Sequence, residues 1–167
     1  MSERSAGPAG GEHSERPDPR ARLAELGLDL PRVVPPLAAY VPAVQSGRHV
    51  YVSGQLPMVD GKLAATGKVG AEVGTEQAKE LARRCALNGL AAVDALVGLD
   101  RVVKVVKVVG FVASAPGYTD QPAVINGASE LFGEVFGEAG RHARSAVGVS
   151  ELPLNTPVEV ELIVEVN

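Results

Sequence analysis

From Val158 to Val166 the sequence reads VEVELIVEV, and no other stretch constrains the fold as tightly. Successive side chains of a β-strand point to opposite faces. Val158, Val160, Leu162, Val164 and Val166 therefore share one face, while Glu159, Glu161, Ile163 and Glu165 share the other. A strand with one wholly aliphatic face belongs in a sheet that is covered on that side. The stretch His49–Gln55 (HVYVSGQ) alternates in the same way, with Val50 and Val52 opposite Tyr51, Ser53 and Gln55. Residues Val102–Ala113 (VVKVVKVVGFVA) carry Val on both faces, which predicts a central strand.

Elsewhere the period changes. Beyond Thr75, apolar or small residues recur at Ala78, Leu81, Ala82, Cys85, Gly89, Ala92, Val93 and Leu96, the stripe of an amphipathic helix. Thr75 offers a capping hydroxyl there, and Gly98 a stop. A second helix is predicted from Pro122 to about Glu138, with Val124, Ile125, Ala128, Leu131, Phe132, Val135 and Phe136 on its stripe and Gly140 ending it. A short helix fits Ala21–Gly27, and Val33 and Val34 are expected to begin a first strand ahead of the helix-breaking pair Pro35 and Pro36. Asp60-Gly61 marks a hairpin turn followed by a loop to Gly74. A strand over Ser145–Leu152 would put the small residues Ala146 and Gly148 on one side.

Strands, helix, strand, helix, strands: the order predicts an α+β fold, a mixed sheet with two helices packed on one face. The other face needs cover, which a ring of identical copies supplies most economically. Residues 1–19, rich in Gly, Pro, Ser and charge, are expected to form a loose tail ahead of a single domain over 20–167. They lack the apolar core of a secretion signal, and no apolar run is long enough to span a membrane.

A net charge of -4 argues against a nucleic-acid partner, which usually calls for a basic field. Cys85 is the single cysteine, so no internal disulfide forms, and its place in a helical stripe makes it a small buried hydrophobe. A cytosolic chain is expected. His13, His49 and His142 are scattered and read as solvated surface, so neither a metal site nor a cofactor is expected. What stands out is a set of polar residues set against strong local patterns. Arg144 stands just before a strand of small residues, Ser53 and Gly54 end a strand, Asn126 interrupts an apolar helix flank, and Glu159 lies just inside the last strand. Each alone is an ordinary structural residue; together they suggest an anion site and no more.

In combination the motifs resemble the RidA/YjgF family. Tyr40 followed by Ser53-Gly54-Gln55-Leu56-Pro57 is similar to that family's Y…SGQ(I/L)P pattern. VINGASELF around Asn126 is similar to its second-helix motif, and Arg144-Ser145 through Leu152-Pro153 to Val158-Glu159-Val160-Glu161 to its ending. The resemblance implies a chorismate-mutase-like fold, a homotrimer, and active sites in clefts between subunits. It also implies hydrolysis of enamines and imines such as 2-aminoacrylate to 2-oxo acids and ammonia, without a cofactor. Arg144 would grip the substrate carboxylate and Glu159 would orient or activate water, with Tyr40, Ser53, Gly54, Asn126 and Ala146 lining the pocket. Ala146 departs from the pattern, since well-known members carry Cys there.

Two other functions compete. One is a non-catalytic trimeric sensor of small carboxylates such as 2-oxo acids, for which a glutamate beside Arg144 would have no obvious use. The other is a ribonuclease, disfavoured by the acidic charge and by the lack of a His pair or of a base-stacking aromatic stripe.

Overall fold

The structure is a computed structural model that describes residues 16–33 and 38–167. Along the chain run α1 (Pro19–Glu25), β1 (Ala43–Ser46), β2 (His49–Gln55), β3 (Met58–Val59) and β4 (Lys62–Leu63). Then follow α2 (Thr75–Leu96), β5 (Val102–Ala113), α3 (Gln121–Phe136), β6 (Ala143–Val149) and β7 (Val158–Val166). Five strands form one mixed sheet in the order β1-β2-β7-β5-β6, in which only β5 and β6 run parallel.

The alternating strand β7 is the middle of this sheet, and its register sets the core. Leu162 pairs with Val52 on one side and Val108 on the other; Val164 pairs likewise with Val50 and Val105. These rows are buried beneath α2 and α3. Every stripe residue of α3 is buried, and so is that of α2 except Leu96, which is exposed at the helix end. Cys85 is buried, as its stripe position requires. The two helices touch closely: a Cβ on Gly127 of α3 would stand 2.0 Å from the Lys79 carbonyl oxygen of α2. Two long helices thus share one face, and α1 makes a third by packing on α3, where Arg22 Nε donates to the Glu134 carbonyl.

Several boundaries differ from the sequence reading. Val33 is in no strand, whereas Val34 and the Pro35-Pro36 pair lie outside the described residues, as do residues 1–15 of the expected tail. The first strand is β1, nearer the turn at Gly47. Thr75 does not cap α2; Gly74 occupies that place and the Thr75 hydroxyl bonds the Tyr118 hydroxyl at 2.8 Å. Helix α3 ends at Gly137, whose φ of 60° breaks it, and a 3-10 turn carries the chain to Gly140. The Asp60-Gly61 turn does close a hairpin, with φ of 50° and 77°, but β3 and β4 pair only with each other. Among the described residues no helix is long and apolar enough to cross a membrane.

The helix contact at Gly127 generates a paired prediction. Gly127→Ala should destabilise the fold by about 1–3 kcal/mol, because its methyl meets backbone. Gly133→Ala, where nothing lies within 4 Å, should stabilise by up to about 1 kcal/mol through helix propensity. Urea unfolding of both variants reads the difference; equal effects would contradict the close approach.

Candidate active site

Strand β6 is an edge of the sheet, and Arg144 lies within it rather than ahead of it. Arg144 pairs with the buried Val108, so its side chain rises on the helix-covered face beside α3. There Nη1 donates to Asn126 Oδ1 at 2.8 Å and to Ser129 Oγ at 3.2 Å. Asn126 and Ser129 are three apart on α3 and so share one helix face. Both Nη1 hydrogens are thereby used, while Nε and Nη2 have no protein acceptor among the described residues. A planar two-pronged donor edge is left for an anion. On the same face of β6, Ala146 pairs with Gly110 and Gly148 with Val112. A Cβ on Gly148 would stand 2.7 Å from Gln121 Nε2, so the small residues there accept close packing.

His142 is not the solvated residue its flanking charges suggest. It is partly buried, with its ring edge-on to Phe132 at 5.8 Å between centroids. Its Nδ1 meets the Gly140 carbonyl oxygen at 2.7 Å and its Nε2 meets Ser129 Oγ at 2.9 Å. Sequence reasoning missed both Ser129 and His142. The available signal was spacing: His142 alternates with Arg144 along the chain, and Ser129 follows Asn126 by less than one helical turn.

A second cluster forms where β2 meets β7. Val52 pairs with Leu162 and Gln55 with Val160, so Ser53 and Gly54 together oppose one residue of β7, a β-bulge. The Ser53 hydroxyl donates to the Val41 carbonyl at 2.6 Å and its N–H to the Pro42 carbonyl at 2.9 Å. These bonds tie the segment after the exposed Tyr40 to the end of β2. The Glu159 carboxylate rests directly over Gly54, where a Cβ would stand 1.9 Å from Oε1. Burial, and then the like charge of Glu161, hold the Glu159 carboxyl above the ordinary glutamate range. A carboxyl tuned upward keeps its proton to higher pH than an ordinary glutamate.

Within one chain these clusters do not meet. Glu159 pairs with Phe111, on the face opposite Arg144, and lies two strand steps away, roughly 10 Å across the sheet. The chain therefore carries a cationic cluster, Arg144 with Asn126 and Ser129 and with Ala146 on the same face of β6, and a separate acidic cluster, Glu159 with Ser53, Gly54 and the Tyr40 segment. No group of three His, Cys, Asp or Glu side chains able to hold a metal occurs among the described residues.

Residues 20–166 match the model of a family described as "YjgF/chorismate_mutase-like, putative endoribonuclease". The chain belongs to this YjgF/RidA family. It is 47% identical over 149 residues to Protein TCP17 of Trypanosoma cruzi, which covers 88% of this chain and 93% of that protein. It is 34% identical over 138 residues to a 2-iminobutanoate/2-iminopropanoate deaminase of Dermatophagoides farinae, covering 82% of this chain and 93% of that one. Its fold is similar to the crystal structure of a protein of unknown function from Agrobacterium tumefaciens, with a TM-score of 0.84 and 49% identity over 89% of this chain and 92% of that one.

The contact between Gly54 and Glu159 can be tested without a substrate. In Gly54→Ala the added methyl displaces only the end of a flexible side chain, so stability should change by no more than about 0.5 kcal/mol. The displaced carboxylate should gain water, and its pKa should fall toward the ordinary glutamate value. Carbon-13 titration of the Glu159 carboxyl reads this shift; an unchanged titration would contradict the placement.

Proposed function

We propose that the protein hydrolyses imines of amino acids, and enamines that tautomerise to them, giving 2-oxo acids and ammonia. The sites are completed between copies of the chain in a homotrimer. The observation that carries this reading is Arg144, held at Nη1 with its Nε and Nη2 edge unbonded among the described residues and shaped to receive a 2-imino acid carboxylate in two parallel bonds. The deaminase of Dermatophagoides farinae, a relative across most of the chain, supports the same chemistry.

The reaction needs positioning and proton transfer. An enamine such as 2-aminoacrylate takes a proton at C3 and becomes 2-iminopropanoate. Water then adds to the electrophilic C2, forming one C–O bond as the C=N bond becomes single. Glu159 takes the proton from the attacking water and returns it to nitrogen. A second transfer through the same carboxylate moves the remaining hydroxyl proton to nitrogen as the C–N bond breaks and the C=O bond forms, releasing ammonia and leaving the 2-oxo acid. Asn126 holds the arginine, Gly54 leaves room for the Glu159 carboxylate, and Ser53 and Tyr40 frame the entrance. Ala146, smaller than the cysteine of well-known relatives, leaves space beside the reacting carbon.

The two-copy arrangement is supported by the separation of the two clusters, read as half-sites of one site, and by the sheet face that α2 and α3 leave open. That face presents the exposed Tyr51 and Val147 with the half-exposed Val109, Phe111 and Ile163. A shallow depression of about 170 Å³ lies among Tyr51, Lys107, Val109, Glu161 and Ile163. The same separation gives a second reading its footing. A chain offering Arg144 alone could serve as a non-catalytic sensor of small carboxylates.

Ammonia release from freshly generated 2-iminopropanoate distinguishes the two. The enzyme reading expects turnover in the wild type and a loss on the order of 100-fold in both Arg144→Ala and Arg144→Lys, since lysine keeps the charge but not the fork. Pyruvate binding without ammonia release would favour the sensor. A fully active Arg144→Ala would end both.

A further inference from the structure

We infer that Ser129 and His142 are positioning residues for Arg144, a hydrogen-bonded strut that decides which edge of the guanidinium meets the substrate carboxylate. The inference rests on the reading of Arg144 as the carboxylate anchor and deepens it.

The directions of the bonds follow from what each atom can do. A carbonyl oxygen only accepts, so the bond to Gly140 places the imidazole hydrogen on Nδ1. In the neutral ring Nε2 is then an acceptor, and the Ser129 hydroxyl donates to it. With its hydrogen committed, Ser129 Oγ turns lone pairs toward Arg144 and accepts from Nη1. Asn126 Oδ1 accepts the other Nη1 hydrogen. With the ring neutral, every donor in the chain from Arg144 to Gly140 has one acceptor in this arrangement.

Both ends of the strut are fixed to α3. Ser129 belongs to the helix itself. Gly140 lies so close to α3 that a Cβ on it would stand 2.2 Å from the Phe132 carbonyl oxygen, and the Phe132 ring meets the imidazole edge-on at an interplanar angle of 88°. A strut anchored this way fixes the plane of the guanidinium as well as its place. Nε–H and Nη2–H, which point along one edge, then form the only pair aligned for two parallel bonds to a carboxylate. The carboxylate is therefore taken side-on, and the rest of the substrate is oriented by the same two bonds. Preorganisation of this kind acts on rate as well as on affinity.

The test compares Ser129→Ala, Ser129→Thr, His142→Ala and His142→Gln with the wild type and Arg144→Ala. It follows kcat and KM for 2-iminopropanoate, the calorimetric affinity for pyruvate, and melting temperature. Ser129→Ala and His142→Ala should each lose about 10-fold or more in kcat/KM and bind pyruvate more weakly, since the charge remains but its orientation is lost. Ser129→Thr, which keeps the hydroxyl, should recover most of the loss. His142→Gln, which can place an amide oxygen where Nε2 stood, should recover part of it. Alanine variants with wild-type kinetics and pyruvate affinity, beside an inactive Arg144→Ala, would overturn the strut and leave the anchor standing. A loss that follows melting temperature and is not recovered by Thr or Gln would also overturn it, assigning the pair a structural role. An active Arg144→Ala would instead remove the anchor reading on which the strut depends.

Discussion

Everything in this molecule is arranged about the two faces of β7. Its aliphatic row, Val158 to Val166, pairs on both sides with Val-bearing strands and seals the core beneath α2 and α3. Its glutamate row must then lie on the uncovered face, and Glu159 reaches the bulge at Ser53 and Gly54. Slipping the strand by one residue would exchange the rows, burying three glutamates and exposing the core. That cost holds the acidic group opposite the helices and leaves Arg144, on their side, with no carboxylate partner among the described residues.

Much of this was legible from periodicity. The β7 alternation, the Val-rich β5 and the stripes of α2 and α3 were readable because each pattern repeats within one element and burial enforces it. The Asp60-Gly61 turn was readable because few residue pairs accept two positive φ values. Period, however, does not carry register between elements. Nothing in VEVELIVEV or ARSAVGVS says that Glu159 aligns with Phe111 while Arg144 aligns with Val108, so the two were expected side by side and stand on opposite faces. The bulge that brings Gly54 under Glu159 was invisible for the same reason, as was the Thr75 hydroxyl's choice of Tyr118 over its own helix. His142 was misread because its flanking charges are local, whereas its partners come from α3 and the turn after it.

The two clusters differ in how they are held. Arg144 is gripped by side chains of α3, so its geometry depends on the helix keeping its place over β6. Glu159 is held by the absence of a side chain at Gly54 and by its burial, which also raises its proton affinity. In an assembled site a guanidinium from the neighbouring copy would approach this carboxylate and lower that affinity again. The proton balance of the reaction would then be set by assembly as well as by the single chain.

Mixing inactive variants tests the proposed sharing of one site between copies most directly. Arg144→Ala and Glu159→Gln, each inactive alone, would be produced together so that their subunits assemble at random. In a ring whose sites each take Arg144 from one copy and Glu159 from its neighbour, roughly a quarter of the sites in an equal mixture regain both residues. Ammonia release from 2-iminopropanoate should therefore return to about a quarter of the wild-type rate per site. A mixture as inactive as its two components would contradict a site shared between copies.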